Sequence, residues 1–196
     1  MITIGITGGI GSGKSVVSNV LEIMGVPVYD CDSKAKVLYD TDPVLKDEMI
    51  SHFGHRLYHT PDGKINKTLL AGIVFTDQAA LSRVNELVHP AVDRDFLLWR
   101  DLLDNQGYKL CGIESAILFQ TNIPRFTDCV IAVTAPDEIR VRRAMSRDGS
   151  SREEVQRRIA KQMSQDDIIA RSDYRVVNDG DTFVVPQLYD IIKRLR

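Results

Sequence analysis

The chain has 196 residues, enough for one well-packed α/β domain or for one that carries inserted subdomains. Apolar residues make up 43% and charged residues 27%, which argues against a disordered chain. A net charge of −2 gives no general attraction for a polyanion, so no nucleic-acid partner is expected.

Ile2–Ile6 is short, apolar and β-branched, the pattern of a buried strand. No basic n-region precedes it, so no signal peptide is expected. No uncharged run reaches the roughly 18–20 residues of a spanning helix, and a cytoplasmic protein without membrane contact is expected. A glycine-rich stretch leads into Lys14–Met24, where Val16, Val17, Val20, Leu21 and Met24 recur at helical spacing, and Gly25 ends the helix. Val26–Tyr29 reads as a second strand, which makes a βαβ opening with parallel strands. Residues 33–106 read as mostly helical, with helices over 33–39, 43–53, 67–75 and 77–104. Pro90 is expected to kink or break the last of these.

Tyr108–Ile113 and Phe126–Val133 read as two further buried strands. Asp137–Arg147 is a helix, and Ser151-Arg152-Glu153-Glu154 is a capping box that opens another, to about Met163. A helical turn over 166–170, a strand at Tyr174–Val177 and a helix at Val185–Leu195 complete the chain. The alternation predicts an α/β fold, a five-stranded parallel sheet sandwiched by helices. Its core would be residues 1–32, 107–136 and 172–196, with helical excursions at 33–106 and 137–171. Cys31, Cys111 and Cys129 are odd in number and form no C-x-x-C pair, so reduced, buried thiols are expected rather than a zinc site. His52, His55 and His59 have no metal-ligand spacing.

Gly8-Gly9-Ile10-Gly11-Ser12-Gly13-Lys14-Ser15 satisfies G-x-x-x-x-G-K-[ST] between a strand and a helix. Glycines let the backbone curl so that N–H groups converge on phosphate oxygens, and the helix adds its positive N-terminal end. Lys14 would bring a point charge to the β- and γ-phosphates, and the Ser15 hydroxyl would ligate Mg²⁺. Guanine-reading N-K-x-D is absent from the sequence. A small ATP-dependent kinase is therefore the simplest reading, ahead of a GTPase or a motor.

Tyr29-Asp30-Cys31-Asp32 closes the second strand, and ligands bind parallel sheets beyond the carboxyl ends of their strands. Either Asp30 or Asp32 would suit the group that orients an acceptor hydroxyl and takes its proton, or one that holds Mg²⁺ through water. Asp32 would equally serve as a helix cap. Residues 138–171 carry nine Lys/Arg against six Asp/Glu, whereas 33–107 carry nine against eleven. Arg140, Arg143 and Arg147 share one helical face. They would either form a solvated surface or belong to a lid that closes over transferring phosphate.

The run Ile6–Ser15, then Gly25, then Val28-Tyr29-Asp30-Cys31-Asp32 resembles the opening of dephospho-coenzyme A kinases. Val88-His89-Pro90, Leu118-Phe119, Arg143-x-x-x-Arg147, Ile159-x-x-Gln162 and Asn178-x-Gly180 extend the similarity along nearly the whole chain. Departures are Val16 for threonine, Lys36 for arginine, Ala116 for proline and Gln120 for glutamate. Glu114 stands where the family often has an acid, a Walker-B-like position near Mg²⁺.

The resemblance implies a P-loop kinase fold of the nucleoside-monophosphate-kinase type. It also implies ATP and Mg²⁺ as cofactors and transfer to the ribose 3′-hydroxyl of dephospho-coenzyme A. Asp32 would be the base, with Lys14 and Arg143 also catalytic. Nucleotide contacts would come from Gly9, Gly11, Ser12, Gly13, Lys14, Ser15, Val16, Arg143, Arg147 and Asn178. The acceptor would meet Asp32, Lys36, His89, Leu118 and Phe119. The excursion 33–106 would bind the acceptor and 137–171 would be the lid; a monomer is expected, with an oligomer as the alternative. The rivals are another small-molecule kinase of this fold and a nucleotide-switched binding module.

Overall fold

A computed structural model describes residues 1–196. Five strands, β1 (Ile2–Thr7), β2 (Val28–Asp30), β3 (Leu110–Glu114), β4 (Cys129–Thr134) and β5 (Tyr174–Val177), form one sheet in the order β2-β3-β1-β4-β5. Every pairing is parallel, as the alternation of strands and helices predicts. β4 is buried at all six positions and β1 at five of six, so both strands consist of apolar and small residues without polar alternation.

Two compact units divide the chain: Met1–Asp30 with Arg100–Arg196, and Cys31–Trp99. The first holds the sheet with α1 (Lys14–Ile23). Its core joins Ile4, Ile6, Val17, Leu21, Ile131, Val133, Val176 and Leu188. Later elements are a 3₁₀ turn at Leu118–Gln120, α6 (Asp137–Asp148), α7 (Arg152–Ala160), α8 (Gln165–Ala170) and α9 (Val184–Leu195). Ser151 and Glu154 form the reciprocal capping box that opens α7. All three cysteines are free and buried.

The second unit contains α2 (Cys31–Thr41), α3 (Pro43–Phe53), α4 (Lys67–Thr76) and most of α5 (Gln78–Asn105). Leu45, Met49 and Leu57 are fully buried. The Asp42 carboxylate caps α3 and also pairs with Arg94 at 3.1 Å. Pro90 does not break α5, which runs as one 28-residue helix. Its ring removes one backbone donor, but Pro90 and Glu86 are exposed, so the freed carbonyl can turn to water. The neighbouring Val88, Ala91 and Val92 are buried and hold the helical path. No helix is long and apolar enough to cross a membrane.

Candidate active site

Residues 8–13 connect β1 to α1, and Gly13 enters the helix with φ 92°, a left-handed conformation that suits glycine. A short 3₁₀-like contact, Ser12 N–H to Gly9 O at 3.1 Å, tightens the loop. Lys14 and Ser15 open α1, so the positive end of the helix faces the loop. Val16 donates its N–H to Gly13 O at 3.0 Å, while its side chain is exposed.

The loop is fastened from behind by late parts of the chain. Asn178, just past β5, is buried and donates its side-chain amide to Ser12 O at 3.0 Å. Arg143 on α6 donates to Asn178 O at 2.8 Å and reaches Asn178 Oδ1 at 3.5 Å. A Cβ at Gly13 would overlap the Asn178 amide and stand 3.8 Å from the Arg143 guanidinium. Gly13, Arg143 and Asn178, far apart in the sequence, are thus neighbours in the fold.

The family resemblance does not point to Arg140, yet it is the arginine built into the loop. Its side chain is buried, pairs with Asp137 at 2.7 Å and donates Nε–H to Ile10 O at 3.1 Å. A Cβ at Gly9 would meet its guanidinium, and one at Gly11 would collide with the Arg140 backbone carbonyl, so glycine at position 11 permits the close approach of α6 to the loop. Helical spacing put Arg140 and Arg143 on one face, but only packing shows that they serve the loop from beneath. Arg147 is not part of this group. It is exposed and bonds Asp148 through two nitrogens, at 2.7 and 3.2 Å. Arg147, with Arg158, holds the Asp148 carboxyl well below the usual carboxylate range.

At the carboxyl ends of the strands, Asp30 of β2 is in register with Glu114 of β3, which is in register with Ile6 of β1. A Glu114 oxygen accepts from the Ser18 hydroxyl of α1 at 2.5 Å. Asp32 lies two residues beyond β2, exposed and within the first turn of α2. It is therefore not the residue ahead of the helix that a simple cap requires. Lys36 is an exposed residue of the same helix.

His89 is half-buried on α5; burial lowers its pKa, and Asp93, one turn on, opposes that shift. Leu118 is fully buried with its Cδ1 against Gly5, so it packs the core beside β1. Phe119 is partly exposed and lines a small cavity with Thr7, Met163 and Ile168.

The residues present fit a nucleotide polyphosphate. The loop has the backbone curl and helix end that recognise phosphate. Ser12 Oγ is buried at its centre with no hydrogen-bond partner in the protein, a cost that a ligand oxygen would remove. The dephospho-CoA kinase family model matches residues 2–183. The chain belongs to the dephospho-CoA kinase family. A Bacteroides fragilis dephospho-CoA kinase is 43% identical over 194 residues, covering 97% of this chain and 91% of that one. The Porphyromonas gingivalis dephospho-CoA kinase is 44% identical over 197 residues, covering 100% and 95%. A solved Thermus thermophilus structure superposes with a TM-score of 0.83 at 33% identity, covering 100% and 98%. The P-loop kinase fold expected for dephospho-CoA kinases is the fold found.

Proposed function

We propose that this chain transfers the γ-phosphoryl group of ATP to the ribose 3′-hydroxyl of dephospho-coenzyme A, giving coenzyme A and ADP. The observation that carries the reading is the Gly8–Ser15 loop, with its buried and unpartnered Ser12 hydroxyl, in a chain matched along almost its whole length by one kinase family.

Lys14 and the loop amides hold the β- and γ-phosphates and draw off charge as the bond to the departing ADP oxygen lengthens. Asp32 orients the acceptor hydroxyl and takes its proton as the new oxygen–phosphorus bond forms. Its support is its place two residues past the end of β2, next to the edge where a parallel sheet binds ligand. Arg143, bonded to Asn178 beside Gly13, would have to extend past the loop to meet charge on the transferring group, the role the family resemblance gives it.

Ser15 would hold Mg²⁺ through its hydroxyl, and Asp30 and Glu114, side by side at the strand ends, would supply carboxylates to it. When bound, the ion would neutralise charge shared between phosphates. Residues 33–106, including Lys36 and His89, bind the acceptor, and residues 137–171 cover the nucleotide. Arg147 joins that cover only by leaving Asp148. It would act in the cytoplasm, as a monomer or a small oligomer.

An ADP-release assay with ATP, Mg²⁺ and a panel of acceptors tests the proposal. Turnover of dephospho-coenzyme A, and not of nucleoside monophosphates or small sugars, is expected. Turnover of another acceptor alone would give the function to a different small-molecule kinase. ATP binding with no turnover of any acceptor would make the chain a nucleotide-switched module.

A further inference from the structure

Ile10 stands at an x position of the phosphate-loop pattern, where the pattern asks for no particular residue. In the fold all three of its contact groups are taken by the α6–α7 arm. Its N–H donates to Gln162 Oε1 at 2.8 Å, just beyond the end of α7. Its carbonyl accepts from Arg140 Nε of α6 at 3.1 Å. Its side chain packs into the small apolar cluster of Val141, Ala144 and Val155, beside Ile159.

That cluster is separate from the core around the sheet, so the arm has its own packing, and the loop's apolar contact with it is made by this residue. An amide donating to Gln162 points away from a phosphate on the other side of the loop. Ile10 is therefore a structural peg rather than one more phosphate donor.

We infer that Ile10, clasped by Arg140 and Gln162, couples phosphate binding in the loop to the position of the α6–α7 arm, with Gln162 as the positioning residue of the coupling. This rests on the loop being an ATP site. The arm cannot swing away from the loop without giving up the Gln162 bond and uncovering the Ile10 side chain. Conversely, fixing the loop around a triphosphate fixes the acceptor and donor groups that hold the arm. Arg143 rides on α6, so the same peg sets how firmly that guanidinium is held beside Gly13. Coupling of this kind is a difference in affinity between arm positions, so it is reciprocal.

The test uses Gln162→Met, close in size but lacking the acceptor, in the full chain. Gln162 is only partly buried and lies outside the main core, so the variant is expected to fold, with a melting point only slightly lowered by the lost bond. In the wild type, ATP is expected to slow amide hydrogen exchange both in residues 8–15 and in residues 152–163. In Gln162→Met the first protection should remain and the second should be lost. The KM for ATP should rise about tenfold while the KM for dephospho-coenzyme A stays within twofold, since one hydrogen bond is removed at a loop that touches only the nucleotide.

Ile10→Ala, which keeps the hydrogen bonds and removes the peg's apolar part, should show the same uncoupling. Protection of 152–163 that persists in both variants, or equal rises in both KM values, would overturn the inference. Absence of any ATP protection at residues 8–15 in the wild type would instead overturn the phosphate-loop reading beneath it.

Discussion

Asp32 carries the chemical step in the proposed reaction, and its exposed place on the first turn of α2 leaves it free of any core-packing duty. Asp32→Asn keeps the size and removes the proton acceptor. We expect kcat to fall about a hundredfold or more while the Kd for ATP stays within a few fold, measured by single-turnover kinetics beside a binding titration. An unchanged rate would remove Asp32 from the mechanism.

His89 makes a different prediction, about stability. Its folded pKa lies below the ordinary 6.5 because burial disfavours the cation, with the Asp93 charge acting against this. Between that lowered value and 6.5 the unfolded chain binds a proton that the folded chain does not. Stability therefore falls as pH drops through about 6.5 and levels off below the folded pKa. Subtracting the pH profile of unfolding for His89→Gln from that of the wild type should isolate this loss. A difference that is flat between pH 7.5 and 5 would show that His89 titrates normally.

At the scale of elements, close approach between strands and loops decides what substitutions the sheet accepts. A Cβ on Gly5 in β1 would lie 2.9 Å from Leu118 Cδ1, 3.1 Å from Thr127 Cγ2 and 3.2 Å from Val130 Cγ2. Gly5→Ala gains strand propensity but must push three branched groups aside, and overpacking of this kind costs about 1–3 kcal/mol. Denaturant unfolding should show a lower midpoint at unchanged slope. A midpoint equal to or above the wild type would mean that the 3₁₀ turn at Leu118 yields freely.

The same scale separates what a linear pattern shows from what it hides. β1, the phosphate loop and α1 were readable because each signal is local: a β-branched run, then glycines, then helical periodicity. The capping box at Ser151 was readable for the same reason. The continuity of α5 through Pro90 was not, since it depends on buried neighbours to either side of an exposed proline. Arg140 and Arg147 look alike on the helical wheel, and only tertiary packing buries one under Gly9 and leaves the other with Asp148 in solvent.

For the whole molecule, the loop-forming segment is at the start of the chain and the groups that brace it are at positions 140, 143, 162 and 178. Ligand binding should therefore be felt as global stability. Free ATP at a hundred times its Kd is expected to raise the melting temperature by about 5–10 °C, through roughly 2.7 kcal/mol of binding linkage. Lys14→Ala should lose most of that increase, and a shift retained in full by the variant would place the triphosphate elsewhere. The sequence by itself determined the parallel α/β class, the phosphate loop and the strand-end acids, because each is written in residues close together and in the alternation of strand and helix. Only the tertiary structure decided which arginine braces the loop, that Leu118 is core, and that Ile10 ties the loop to α6 and α7. Those outcomes depend on burial and on contacts between residues more than a hundred positions apart, and no local spacing fixes which of several similar side chains meets them.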